Sequence, residues 1–243
     1  MNILVRTGLP LLGAITLFAS TGPLHAQTFH GELGLTVGLP QGAFGDTVDN
    51  TGYGPTIALG YAFEQLPLMI GIEGTYLIYG TESRREHFNP NIPEVDVTVR
   101  TTNAIASGML FARVGPQSGV VRPFVEGVFG IQGLVTTSSV SDDYGHGESS
   151  IASTTNHSDV VMGYGAGAGL TIQLFENTTI DTMECEPQLR SVTLELRGRY
   201  TSSEEGEYLV NGAIRRSGGQ ISCTPSRSRV DMLALYAGVA VNF

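Results

Sequence analysis

Large apolar residues alternate with small or polar ones at a beat of two, in stretches of about ten to fourteen residues that recur along the chain. A period of two belongs to β-strands, whose successive side chains point to opposite faces. Eight such stretches are readable. TFHGELGLTVG sends Phe29, Leu33, Leu35 and Val37 one way and His30, Glu32 and Thr36 the other. YGPTIALGYAFE sets Tyr53, Ile57, Leu59, Tyr61 and Phe63 against Gly54, Thr56, Ala58, Gly60 and Ala62, and LMIGIEGTYLIYG sets Leu68, Ile70, Ile72, Tyr76 and Ile78 against Gly71, Glu73 and Thr75. The fourth, Thr101 to Val114, is ambiguous: Ala104, Ala106, Leu110, Ala112 and Val114 form one face while Ile105, Met109 and Phe111 compete on the other, as a face-switching bulge would produce. VVRPFVEGVFGIQG follows, then Val160 to Phe175, SVTLELRGRYT and DMLALYAGVAVNF.

The sixth stretch contains MGYGAGAGL, with glycine at 163, 165, 167 and 169. A phosphate-cradling fingerprint needs glycine at its first, third and sixth places ahead of a helix. No frame fits, and the LTIQLF that follows alternates as a strand does. Connections after the second and fourth strands are short (EQLP, GPQSG), while those after the first, third, fifth and seventh are long and polar. The turn after the sixth, ENTTIDTMECEPQLR, is longer than this alternation wants, and YLVNGAIR in the last loop carries an Asn211-Gly212 hairpin signal. Short turns at one end and long loops at the other, on strands of alternating hydrophobicity, are the pattern of an outer-membrane barrel.

Two kinds of barrel could carry such strands, a lipocalin-like one with its apolar face inside and a membrane-spanning one with that face outside. Side-chain size separates them. An eight-stranded interior is only just wide enough to be filled by side chains, so the inward set must be small or mutually paired. The non-apolar faces are rich in Gly and Ala, with Glu32, Glu73, Glu126 and Glu195 available to pair with Arg122, Arg197 and Arg199. Bare glycine on alternate positions gains nothing against water and loses entropy; against a narrow lumen it leaves room for larger neighbours. The reading is therefore an all-β, eight-stranded antiparallel up-and-down transmembrane β-barrel with short periplasmic turns and long extracellular loops. Gly163, Gly165, Gly167 and Gly169 line the lumen, and Met162, Tyr164, Leu170, Ile172 and Leu174 meet lipid. The seven lumen charges form a structural ion-pair network rather than an ion path.

Composition narrows the rest. Residues 1–26 are expected to be a secretory signal, with Arg6 as its basic region, an apolar run from Leu9 to Ala19 that is too short for the roughly 20 residues of a spanning helix, and Ala26 before the cut; residues 27–243 are the barrel. Thirteen basic residues face 23 acids, and the formal net charge of −10 argues against nucleic acid as a partner. Cys185 and Cys223 are expected on opposite membrane faces, about 25 Å apart, beyond the reach of a disulfide. Loop residues Asp142, Asp143, His146, His157, Ser158 and Asp159 have the side chains of hydrolytic sites without a recognisable catalytic motif.

The run GLTVGLPQGAFGD with GYGPTIALGYAFEQLPLMIGIEGTYLIYG, and the last strand LALYAGVAVNF ending in Phe243, resemble the small OmpA-like outer-membrane barrel families. The resemblance implies a barrel, and the chain is expected to depart from the full OmpA pattern in having no peptidoglycan-binding domain. It implies a terminal signal, Leu235, Val239, Val241 and Phe243, read by the barrel-assembly machinery, and residence in the outer membrane with its lipid as surroundings. The expected role is non-enzymatic, structural or surface-interacting through the loops, with no cofactor or metal, an unidentified extracellular ligand, and a monomeric state. A small pore and a barrel-embedded lipid-modifying enzyme or protease are the alternatives.

Overall fold

A computed structural model describes residues 28–48, 50–63, 66–89, 92–142, 150–176, 190–209, 214–217 and 220–243. The expected signal, the long turn with Cys185, and Asn211-Gly212 lie outside these residues. Eight long strands, β1 (Thr28–Gln41), β2 (Gly52–Ala62), β3 (Leu68–Asn89), β4 (Ile92–Val114), β5 (Val121–Asp142), β6 (Ser150–Glu176), β7 (Ser191–Ser203) and β12 (Asp231–Asn242), form a closed barrel in the order β1-β12-β7-β6-β5-β4-β3-β2. Every neighbouring pair is antiparallel, and β1 pairs with both β2 and β12. Closure satisfies every backbone N–H and C=O between strands, the condition for crossing hydrocarbon with strands. Among the described residues no helix is long and apolar enough to cross a membrane.

The outer face is apolar. Leu33, Leu35, Ile57, Leu59, Leu110, Val125 and Ile131 are each more than half exposed. Aromatic residues bound this band at both ends. Phe29, Tyr61, Phe63, Phe175 and Phe243 ring the end that carries the chain terminus, Tyr61 meeting Phe29 and Phe63 edge-on at 5.9 and 4.9 Å. Tyr53, Tyr76, Tyr164 and Tyr200 face outward near the other end. On β6, Tyr164 and Phe175 stand eleven positions apart, and aromatic girdles at such spacing mark the two interfaces of a membrane band roughly 25 Å tall.

Three differences from the sequence reading are physical. First, β3 to β6 run for 22 to 27 residues, where about 9–11 suffice to span. The segments TESRREHFN and IPEVDVTVR continue as a paired ladder, with Ser83 opposite Arg100 and His87 opposite Asp96. Thr, Val and Ser alternation is β-competent without an apolar face, so hairpins persist beyond the band. Second, β4 does not switch faces: Ile105, Met109, Phe111 and Arg113 all point inward, and Ala106, Leu110, Ala112 and Val114 outward. The irregularity lies across from it, between Ile78 and Gly80 of β3, next to Ala104, which is buried. Third, the last loop pairs β8 (Glu205–Tyr208) with β11 (Ser226–Arg229) and β9 (Ile214–Ser217) with β10 (Gln220–Cys223). The last loop thus carries a paired β9–β10 hairpin, while the expected Asn211-Gly212 turn lies outside the described residues.

The lumen is filled in layers. At the extracellular end α1 (Gly42–Gly45) folds inward and Phe44 packs with Val48, Leu77, Tyr79, Ile105, Leu134, Tyr208, Val230 and Met232. Below lies a hydrogen-bonded layer in which Thr56 joins Thr36 at 2.6 Å and Thr75 at 2.9 Å, while one step above Ile105 and Leu134 Thr136 donates to Asn103 at 2.8 Å. Ala58, Met69, Met109, Phe111 and Val128 form an apolar wall at the next level. It flanks the charged residues.

Candidate functional site: the charged layer of the lumen

Glu32 on β1, Glu73 on β3, Glu126 on β5 and Glu195 on β7 project inward at neighbouring heights, because each occupies the inward parity of its strand. Arg197 and Arg199 follow Glu195 at alternate positions on β7, and Arg113 comes across from β4. All seven are buried, none more than 6 % exposed. Arg113 holds Glu195 with both ends of its fork (Nη1 to Oε2 2.9 Å, Nη2 to Oε1 3.0 Å), and also donates to Glu32 at 2.9 Å and Glu126 at 3.2 Å. Arg197 bonds Glu32 at 3.1 Å, Glu195 at 3.0 Å, and Glu73. Arg199 bonds Glu126 through Nε at 2.7 Å and Glu73 through Nη1 at 2.6 Å. Each carboxylate therefore meets two or more guanidinium groups, the geometry in which charge-assisted bonds are strongest.

Aromatic faces complete the cage. The Arg113 guanidinium lies 4.2 Å from the Phe124 ring centre and 5.2 Å from that of Phe111, and Arg197 lies 4.1 Å from Tyr236. His30 Nε2 meets Glu32 at 2.8 Å, Nδ1 meets Asn242 at 2.7 Å, and Asn242 donates to Ser191 at 2.9 Å. Toward the periplasmic end the lumen widens into a cavity of about 510 Å³ lined by His30, Arg113, Gln117, Arg122, Gln173 and Asn242.

The glycine row is the complement of the arginines. Cβ atoms placed on Gly165, Gly167 and Gly169 would come within 2.4 Å of the Tyr200 carbonyl oxygen, 2.6 Å of the Gly198 carbonyl oxygen and 2.5 Å of the Phe124 ring, and one on Gly163 within 3.1 Å of Gln132. The bare face of β6 lets Arg197, Arg199 and Phe124 lie close to its backbone. Outward-facing Gly127 has nothing within 4 Å of such a Cβ. Gly167→Ala should therefore lower unfolding stability by about 1–3 kcal/mol through overpacking, whereas Gly127→Ala should raise it by about 0.4–1 kcal/mol by restricting the unfolded chain. Urea unfolding of the two refolded variants checks the contrast.

Six of the seven expected lumen charges are brought together; Arg122 is not. It sits at the periplasmic rim, half-buried, donating to the Gln117 carbonyl at 3.0 Å, because it starts β5 four residues below Glu126. The place assigned to it belongs to Arg113, which the sequence reading missed: its inward neighbours Phe111 and Met109 are large and apolar and disguised the parity of β4. His30, Glu32 and Glu195 also present atoms within 4.8 Å of one another, as a metal site would. Arg113 and Arg197 already hold those two carboxylates, so a cation would compete with two guanidiniums. Of the loop residues, His157 Nε2 lies 3.0 Å from the Glu207 carbonyl and Asp159 accepts the Glu207 N–H at 2.8 Å. Both clamp β8 onto β6. Asp143 and His146, and the side chain of Asp142, fall outside the described residues. Leu235, Val239, Val241 and Phe243 line up on the outer face of β12.

Solved structures similar to the chain include Neisserial surface protein A (15% identity, covering 88% of this chain and 97% of that one, TM-score 0.43). A major outer membrane protein of Thermus thermophilus matches at 13% identity over 90% and 100%, with a TM-score of 0.36. The N-terminal β-barrel domain of Pseudomonas aeruginosa OprF matches at 12% over 89% and 97%, with a TM-score of 0.30. No curated protein matches the chain by sequence. The family model for the outer membrane protein beta-barrel domain matches residues 11–183. With a closed eight-stranded barrel, an apolar girdled exterior and a charged interior, the chain belongs to the outer membrane protein β-barrel domain family and resides in the bacterial outer membrane.

Proposed function

We propose that this protein is a non-conducting, non-enzymatic scaffold of the outer membrane that holds its extended hairpins clear of the lipid for contact with an extracellular ligand. One observation carries the reading: the lumen is blocked by the buried layer of Arg113, Arg197 and Arg199 with Glu32, Glu73, Glu126 and Glu195. Opening an ion path would separate charges that are expensive to leave unpaired. The β3–β4 and β5–β6 ladders give the display its stiffness, and loops on a rigid scaffold are the usual place for binding residues. In biogenesis the outward row Leu235, Val239, Val241 and Phe243 serves as the segment read by the assembly machinery. Lipid surrounds a monomeric barrel. Planar-bilayer recording at neutral pH should give no unitary conductance above that of protein-free membranes, and incubation with lipid A or a peptide panel should give no product. Steady ion currents would favour the small-pore reading, and a cleaved product the enzymatic one.

A further inference from the structure

Phe44 is fully buried, yet it comes from a loop turn outside the barrel wall. It enters the extracellular end of the lumen and meets Tyr208 and Tyr79 edge-on at 5.0 and 5.6 Å. Local hydrogen bonds shape its turn: Asp46 N–H to Gly42 O, Thr47 and Val48 N–H to Phe44 O, and Thr47 Oγ1 to Ala43 O. The turn starts at Gly42 with φ +56, a backbone state that favours glycine. Apolar contact through Phe44 and Val48 seats the segment in the lumen.

The walls around Phe44 have a second property. Tyr79 is 2% exposed and its hydroxyl has no hydrogen-bond partner among the described residues. Gln132, one inward position below Leu134 on β5 and 5% exposed, has an unpartnered Oε1. Buried polar groups of native proteins are nearly always satisfied, so an apolar chamber with an orphan hydroxyl is shaped for something other than a phenyl ring alone. The bonded Thr36, Thr56 and Thr75 lie beneath it, and the charged layer lies lower still.

We propose that the extracellular end of the lumen is a binding chamber for a small, mostly apolar ring-sized molecule carrying one hydrogen-bonding group, and that Phe44 is its displaceable internal occupant. In the closed form the ring of Phe44 fills the space between Leu77, Ile105, Leu134 and Tyr208. In the open form the turn swings out about Gly42, the guest takes the place of the ring, and its polar atom bonds the Tyr79 hydroxyl. Because the binding-competent form is a minor state, the apparent affinity is reduced by its population. Removing the stopper should recover the difference.

The probe is 4-fluorophenol, followed by ¹⁹F NMR on the refolded full chain in nanodiscs, with empty nanodiscs as the partition control. Phe44→Ala should bind it saturably and at least about tenfold more tightly than the unaltered protein, as a stopper present roughly 0.1–10% of the time in its open form requires. Adding Tyr79→Phe should weaken 4-fluorophenol several-fold and leave fluorobenzene unchanged. The chain has no tryptophan, so Phe44→Trp supplies a second, independent readout: its emission should be blue-shifted and should move to longer wavelength as 4-fluorophenol saturates. Equal affinity in Phe44→Ala and the unaltered protein, indifference to Tyr79→Phe, or an indole emission in Phe44→Trp that the probe leaves in place would each overturn the proposal. The plugged-barrel reading would survive any of these, since it rests on the charged layer below.

Discussion

Arg113→Met should destabilise the barrel by about 3–5 kcal/mol, the cost of breaking a buried ion pair from one side. Among the described residues, Arg113 is the one guanidinium that reaches Glu32, Glu126 and Glu195 together at hydrogen-bonding distance. Its removal leaves Glu32 and Glu195 with Arg197, and Glu126 chiefly with Arg199, so three buried carboxylates would share less positive charge. The double variant Arg113→Met/Glu195→Leu should recover a large part of that loss, because an ion pair replaced by apolar groups of similar volume is often neutral in energy. The same logic holds for Arg197→Met against Arg197→Met/Glu73→Leu. Urea titration of refolded protein, read by the heat-modifiable gel shift of the closed barrel, gives the four corners of the cycle. Additive single losses would reject a coupled network.

Leu170→Arg should cost about 2–4 kcal/mol, the penalty measured for a basic residue at the midplane of a membrane barrel. Leu170 stands midway between Tyr164 and Phe175 on β6 and is 42% exposed on the outer face. On a water-bathed barrel an exposed position of this kind would tolerate arginine within about 0.5 kcal/mol. The same substitution at exposed Val120, in the turn before β5, should fall within that smaller range. Refolding into lipid vesicles with a matched urea series measures both.

The barrel was legible because lipid and a narrow lumen impose opposite demands on alternate residues, and Leu33, Leu35, Ile57 and Leu59 obey them without exception. What escaped was whatever breaks that rule. Ile105, Met109 and Phe111 are large and apolar yet point inward, since a lumen filled by side chains accepts hydrophobic ones wherever no charge needs a partner. They hid Arg113, and inward parity alone drew Arg122 into a layer that it sits too low to join. The extracellular plug was illegible for a different reason: PQGAFGDTVDN reads as a loop, and nothing in its pattern says that Phe44 turns back into the barrel. Beyond the girdles the apolar beat stops while strand pairing continues, so the hairpin lengths were underestimated.

The orientation of the faces is tested most directly by quenching a single tryptophan with brominated lipid acyl chains, which the tryptophan-free sequence permits. Leu170→Trp and Leu33→Trp, placed on the outer wall, should lose most of their fluorescence in vesicles brominated near the bilayer centre. Tyr236→Trp, placed against Arg197 inside the lumen, should keep nearly all of its emission. Quenching at position 236 with protection at 33 and 170 would put the apolar face inside and contradict the account.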